Sequence, residues 1–250
     1  MNRLIIVGNG FDLAHGMKTS YNDFMKWYLV GIFNKGNYDD DGVATMLNNS
    51  SNLNIPRFIE MYLNGDISQT SINLLLNNSI TENGVGIDES LGYYFNFKYS
   101  FLKDVCIQHC EQNWVDIEEL YYRKLLQISL IEDENQRSRE VLSLNKALNF
   151  IKRKLNEYLN TLEVPNINPD VINVVLDKNK YLNSLSTDLD SKLYRTIFLN
   201  FNYTSTIDSY VEHLKIVCTD KPEKLIARIN IHGEIKKNEN PIIFGFGDER

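Results

Sequence analysis

Three short apolar runs, each stopping abruptly at a cluster of polar residues, constrain this chain more than any other feature. Leu4-Ile5-Ile6-Val7 leads into Gly8-Asn9-Gly10-Phe11-Asp12; Ile197 to Phe201 leads into Asn202-Tyr203-Thr204-Ser205-Thr206; Ala227 to Ile231 leads into His232-Gly233-Glu234. Short runs rich in Ile, Leu and Val read as buried strands. In a parallel sheet every strand ends on the same edge, and ligands bind in the crevice just beyond those ends. If the three runs are parallel, their polar clusters share one cleft.

The segments between these runs suggest an interrupted sheet. Ser20-x-x-Asp23 has the form of a capping box and precedes an apolar stretch from Phe24 to Phe33, so the chain opens strand, glycine loop, helix. Residues 34–95 are rich in Asn, Gly and Asp, with brief helices expected at 55–63 and 72–76. From Phe97 to Leu162 the spacing turns helical. Phe97, Phe101, Val105 and His109 step by four, and Ile117, Leu120, Tyr121, Ile128 and Ile131 follow a cap at Asp116 and Glu119. A longer helix carries Val141, Leu144, Leu148, Ile151, Leu155, Tyr158 and Leu162, ending before Pro165. It fits one arm of a helical hairpin packed on the sheet better than a coiled coil. Lys152-Arg153-Lys154 on it reads as a solvated face. Thr206 to Leu214 suits a further helix, and Pro241 to Phe246 a further strand. The expected fold class is α/β, a Rossmann-like parallel sheet with a helical insertion. Residues 1–33 and 195–250 form the nucleotide-binding sheet core, and residues 34–194 a mainly helical insertion with Asn-rich loops.

A chain of 250 residues buries enough surface to fold without staples. With 26 Lys and Arg against 33 Asp and Glu, the net charge is −7, which argues against the phosphate-neutralising surface that nucleic-acid binding needs. Cys106, Cys110 and Cys218 make an odd set, as expected of reduced thiols. Leu4 to Val7 is too short for a signal-peptide core, and no apolar run approaches the roughly 20 residues of a membrane helix. The expectation is a cytoplasmic protein with no membrane partner.

Each polar cluster admits a chemical and a structural explanation. Gly8 and Gly10 permit a tight turn and close approach of backbone N–H groups to a pyrophosphate, although Leu13 stands where a dinucleotide fingerprint has its third glycine and the next is Gly16. Asp12 would repel phosphate but could accept hydrogen bonds from ribose hydroxyls. Alternatively, the loop is a plain strand-to-helix turn in which Asp12 caps local amides. Asn202 offers a donor and an acceptor, suited to placing a ribose or a water, or else opens a helix as a turn residue capped by Thr204 or Ser205. His232 carries an imidazole that can act as a general base, or is a histidine hydrogen-bonded at a strand end. Gly233 lets a ligand or another backbone come close. His15 belongs to the first loop and only lines it; His109 and His213 sit on helical faces. Cys106, His109 and Cys110 are too few for a closed zinc site. A metal-dependent hydrolase or nuclease using Asp12, Asp208, Glu234 and Asp248 is the remaining class, but without ligand spacing to support it.

The string Ile5 to Gly16, followed by Thr19-Ser20-Tyr21-x-x-Phe24, resembles the N-terminal signature of the AbiH family of phage abortive-infection proteins. Phe201-Asn202-Tyr203-Thr204, Ile231-His232-Gly233, Ile243-Phe244-Gly245 and Trp114-x-Asp116-x-Glu118 are similar to its other blocks. The family implies a protein that halts an infected cell before phage spread, acting on a phage trigger or a protein partner. More distantly, Gly8, Gly10 and Gly16, the Asn202-Tyr203-Thr204 block with Asp208 beyond it, and His232-Gly233 resemble the sirtuin-like NAD-binding fold. This resemblance implies NAD as ligand or substrate. Gly8, Asn9, Gly10, Phe11, Asp12, Gly16, Tyr203, Thr204 and Gly233 would form the binding site. Asn202 would position the nicotinamide ribose, and His232 would serve as base towards a ribose hydroxyl. Thr204 stands where many sirtuin-like proteins carry an acid, which favours sensing of a nucleotide over its turnover. The absence of a zinc-binding cysteine quartet argues against deacetylation. Members of the family commonly continue beyond the block at Asp248-Glu249-Arg250, so a shortened chain lacking part of the cleft is expected.

Overall fold

The computed structural model describes residues 2–33, 35, 38–47, 93–108, 115–176, 195–217, 226–235, 237 and 239–244. The chain divides into two compact units, residues 1–19 with 159–244, and residues 20–158 with 245–250.

The first unit is built on three parallel strands, β1 (Asn2–Val7), β5 (Arg195–Asn200) and β6 (Ile226–Asn230), in the order β1-β5-β6. The α/β class and the parallel direction agree with the sequence reading. Register alternation puts Ile5, Val7, Phe198 and Ile226 on one face. Against it lie α6 (Pro169–Leu176) and α7 (Thr206–Val217), which bury Ile172, Ile207, Tyr210, Val211 and Leu214. Each fully buried side chain of this size contributes about 1.5–3 kcal/mol. Asn168 caps α6, accepting the Asp170 N–H at 2.9 Å, and Pro169 takes the first helical position, where a missing N–H costs nothing. The other face carries Leu4, Ile6 and Ile229, which are 56%, 68% and 48% exposed.

Between β1 and the second unit comes a short helix that the sequence reading did not separate. Gly8 is its extended N-cap, and α1 runs Asn9–Ala14, so Gly10, Phe11 and Asp12 are helical rather than part of an open loop. Its end is a Schellman motif. Met17 N–H reaches Asp12 O at 3.1 Å, Gly16 N–H reaches Leu13 O at 2.9 Å, and Gly16 takes φ +75°. This stop is what Gly16 provides.

The second unit opens with α2 (Tyr21–Phe33), and the expected capping box is present: Asp23 N–H donates to Ser20 Oγ at 3.1 Å while Ser20 N–H donates to Asp23 Oδ2 at 3.3 Å. An antiparallel sheet of β2 (Tyr38–Asp39), β3 (Val43–Leu47) and β4 (Tyr93–Phe97) follows in the region the sequence left unassigned. Phe97 therefore ends a strand, and the helix stepping by four is α3 (Ser100–Gln108). Helices α4 (Val115–Ser129) and α5 (Glu134–Leu159) form the hairpin, tied by Tyr121 Oη to Asn145 Oδ1 at 2.5 Å. Two members of the basic triplet on α5 are ion-paired. Arg153 pairs with Asp41 at 3.0 Å, and Lys154 with Glu157 at 3.0 Å and Asp40 at 3.7 Å. The helices expected at 55–63 and 72–76, together with His109, Cys110, Trp114, Cys218 and Asp248, lie outside the described residues.

Candidate functional site

The three polar clusters begin side by side. Val7 pairs with Asn200, and Asn200 with Asn230. The next residues continue the pattern, Phe201 N–H donating to Val7 O at 2.8 Å and Ile231 N–H to Asn200 O at 2.9 Å. Gly8 and Ile231 are therefore two strand spacings apart, about 10 Å. Because β5 is central, its following loop touches both neighbours.

On the β1 side, a cleft of about 510 Å³ is lined by Gly8, Gly10 and Phe11 together with Val7, Asp170 and Ile207. Its volume lies in the range of small-molecule sites. Neither Gly8 nor Gly10 is required by backbone shape or crowding. Gly8 has φ −124° and ψ −177°, and a Cβ on either would meet nothing within 4 Å. They keep the backbone accessible rather than enabling a strained turn. Asn9 Oδ1 accepts from Thr19 Oγ1 at 2.7 Å, holding the first turn of α1. His15 does more than line the loop. Its Nδ1 donates to Phe11 O at 2.7 Å, and its Nε2 accepts from Tyr210 Oη, which in turn accepts the Asn168 N–H at 2.7 Å. With the rings of Phe11, His15 and Tyr210 in mutual contact, α1 is fastened to α7 and to the start of α6.

Between β1 and β5 lies a buried polar knot. Thr204 Oγ1 donates to Asp12 Oδ2 at 2.6 Å, Thr206 Oγ1 lies 3.2 Å from Thr204 Oγ1, and Asn200 Nδ2 donates to Asn202 O at 3.1 Å and Asn230 Oδ1 at 3.0 Å. Asp12 is 1% exposed and Asn202 6%. Asp12 caps no local amide, and Thr204 caps no helix, because each is spent on the other. Burial pushes the Asp12 carboxyl above its ordinary value; Thr204, Thr206, Asn202 and the nearby His15 work in the opposite direction and do not overcome it. Two atoms of the knot make no hydrogen bond, Asp12 Oδ1 and Asn202 Nδ2.

Between β5 and β6 the arrangement is aromatic. The His232 ring lies 5.6 Å from Phe201 and 6.1 Å, edge-on, from Tyr203. His232 Nδ1 lies 3.1 Å from Ile243 O and so must carry the proton, which leaves Nε2 as the acceptor of the neutral ring. Gly233 has φ +81°, and a Cβ there would stand 2.1 Å from Pro241 O. The close neighbour is thus the chain's own backbone. Residues 241–244, expected as a strand, are not one. They turn back beside 232–234 through Ile243 N–H to His232 O and Glu234 N–H to Asn240 O, both 2.9 Å, and Pro241 has no N–H with which to extend a ladder. Glu234 is engaged by Arg228 at 3.0 Å and Lys237 at 2.9 Å, and Arg228 also pairs with Asp208. Burial would raise the Glu234 carboxyl, but Lys237 and Arg228 outweigh it and hold it below its ordinary value. Among the described residues no three of His, Cys, Asp and Glu gather as metal ligands.

Gly8, Gly10 and Phe11 thus line the cleft, while Asp12, Asn202 and Thr204 form the knot between two loops; Tyr203 and His232 meet between the other two, beside Gly233. His15, Tyr210, Asn168 and Asn200 were missed as a supporting set. A buried asparagine at a strand end was the available signal for Asn200; the Tyr210 relay had none, since its members are 195 residues apart.

A three-stranded parallel sheet whose following loops gather on one edge makes this a mixed α/β protein. The profile of one family, described as Bacteriophage abortive infection AbiH, matches residues 4–250, and the chain belongs to that family. Its role is accordingly in abortive infection, a defence against phage. No curated protein and no solved structure matches the chain. No described helix is long and apolar enough to cross a membrane.

Proposed function

We propose that this AbiH protein binds NAD or a related nucleotide at the carboxyl edge of a Rossmann-like, sirtuin-like sheet and cleaves its nicotinamide–ribose bond. The observation that carries the reading is the parallel register, which starts the loops of Gly8, Asn202 and His232 within about 10 Å of one another. In this reading the backbone at Gly8, Asn9 and Gly10 takes the pyrophosphate and Phe11 packs beside it. Asn202 and Tyr203 face the nicotinamide ribose. His232, with Nε2 as acceptor, serves as base towards a ribose hydroxyl. Cleavage passes through an oxocarbenium-like state, which a buried amide and carboxylate are suited to stabilise. Purified protein, with phage trigger where one is required, is expected to bind NAD in calorimetry and to release nicotinamide; the absence of both would sink the proposal. Asn202→Ala and His232→Ala are each expected to abolish product while leaving the circular-dichroism spectrum unchanged.

A second reading is a sensor that binds the nucleotide without turnover and signals through a partner. The exposed apolar residues Leu4, Ile6 and Ile229 favour it, since such a surface suits a protein partner. Saturable NAD binding with no nicotinamide released would select it over the first.

A further inference from the structure

The cleft beside β1 has walls that are tied to one another and a lining of almost one chemical kind. Val7, Phe11, Val171, Phe198 and Ile207 make its surface apolar, and its volume is about 510 Å³. Phe11 belongs to α1, whereas Asp170 and Val171 lie in the first turn of α6. The Tyr210 relay holds these two walls in a set relation. Tyr210 Oη accepts the Asn168 N–H at 2.7 Å and donates to His15 Nε2, while His15 Nδ1 donates to Phe11 O at 2.7 Å. A slot fixed in this way needs little rearrangement to receive a ligand. Among the described residues that line it, Asp170 alone is ionisable. Its backbone N–H is taken by Asn168 Oδ1 at 2.9 Å, but its carboxylate bonds to no described residue. An ionised carboxylate only accepts hydrogen bonds, and it repels phosphate. With no lysine or arginine among the described lining residues to offset that charge, the inside of the cleft suits the phosphate-free part of a nucleotide. Such a part offers a flat ring for the apolar walls and hydroxyl donors for the carboxylate.

We propose that this cleft holds the adenosine half of the dinucleotide, with the adenine ring against Phe11 and Val171 and the ribose hydroxyls donating to Asp170. The proposal rests on the nucleotide-binding reading above and adds to it a residue that selects among nucleotides. The strand order β1-β5-β6 decides which half goes where. Asn202 and His232 follow β5 and β6 and take the nicotinamide end in that reading. The backbone at Gly8 and Gly10 takes the pyrophosphate at the rim, which leaves the cleft beside β1 for the adenosine. Stacking of a base on an aromatic ring is tolerant of base identity, so the ring alone selects little. Asp170 selects more. A phosphate on the 2′-hydroxyl removes a donor and sets two negative groups together, so the site accepts NAD and refuses NADP. An acid in the first turn of α6 also favours the helix dipole, and the test has to separate that role from recognition.

The experiment is calorimetric titration of the full chain and of Asp170→Ser with NAD, NADP and adenosine. Wild-type protein should bind NAD about 30-fold or more tightly than NADP. Asp170→Ser should bring that ratio below about threefold, by weakening NAD about tenfold and strengthening NADP, as expected for the loss of hydrogen bonds to a charged group. A role confined to the helix dipole lowers the melting temperature of Asp170→Ser and leaves the ratio where it was. An unchanged ratio, or equal binding of NAD and NADP by the wild type, therefore overturns the assignment of Asp170 while nucleotide binding stands. If NAD does not bind, adenosine decides the matter. Adenosine binding that Asp170→Ser weakens about tenfold supports the cleft assignment and rejects the dinucleotide reading. Adenosine binding that ignores the substitution, or no binding of either compound, overturns the proposal.

Discussion

The two units of this protein bury different kinds of residue. Among the described residues every buried polar side chain, Asp12, Thr19, Thr196, Asn200, Asn202, Thr204, Thr206 and Glu234, belongs to the sheet unit. The buried set of the helical unit is apolar and aromatic: Phe24, Met25, Leu29, Phe101, Phe150, Ile151 and Leu155 are examples. Its buried tyrosines differ only at the hydroxyl, as with Tyr21, which donates to Val105 O at 3.0 Å. An apolar core gains from every methylene it hides, whereas a buried amide or carboxylate must find a partner merely to break even. Most of that cost falls just beyond the ends of β1 and β5, at Asp12, Asn200, Asn202, Thr204 and Thr206, and among the described residues the core of the helical unit is built without it.

Substitutions that separate the two kinds of burial sharpen the contrast. The largest loss is expected in the apolar core. Phe150→Ala should cost about 4 kcal/mol in chemical denaturation, and ligand affinity measured on the folded fraction should not change. A loss below about 1 kcal/mol would mean that the helical unit is not packed as described. Next comes Gly233→Ala, expected to cost about 3 kcal/mol, because the added Cβ meets Pro241 O and the positive φ strains any L side chain. Gly8→Ala is its control. Nothing lies within 4 Å of that Cβ, so the melting temperature should stay put while nucleotide affinity falls. Equal melting shifts in the two variants would break the distinction between a structural and a functional glycine.

Thr204→Val probes the polar knot and should cost about 2 kcal/mol near neutral pH, since it takes away the hydroxyl that donates to Asp12 Oδ2. The pH dependence has a definite sign. Asp12 has a folded pKa above its unfolded value, so its contribution is fully present below the unfolded pKa and is lost as pH rises through the folded one. Removing the Thr204 bond raises the folded value further. The Thr204→Val penalty should therefore grow as pH climbs from the ordinary carboxylate range towards neutrality. Asp12→Asn should flatten the melting-temperature profile over the same window, and a penalty independent of pH would refute the assignment. The smallest effect is expected outside both cores. Arg123→Ala, which removes a surface i,i+4 pair with Glu119, should change stability by less than about 0.5 kcal/mol.

Much of the sheet unit was legible because its strands are short, β-branched and abruptly ended. Leu4 to Val7, Ile197 to Phe201 and Ala227 to Ile231 fall within a residue or two of β1, β5 and β6. The Ser20–Asp23 box marked α2 for the same local reason. What sequence could not provide was non-local. Nothing in the neighbourhood of Asp12 announces that its hydroxyl donor is Thr204, 192 residues away. The antiparallel sheet was missed although Asp41-Gly42 is a hairpin signal, because Val43 to Leu47 lacks the alternation that marks a half-buried strand. Phe97 was drawn into a helix by a spacing of four that Phe101 and Val105 do obey. Pro241 to Phe246 looked extended by composition; the bonds of Ile243 and Glu234 to their partners at 232 and 240 set a return path instead.

That return path has a consequence for His232. The imidazole's tautomer is dictated by a carbonyl 11 residues downstream, and the route between them is clasped where Asn240 and Pro241 cross Gly233. Which ring nitrogen holds the proton is thus a property of a whole closed loop rather than of one side chain. A cut or a foreign insertion anywhere between 234 and 242 would detune it without touching a single residue of the cleft.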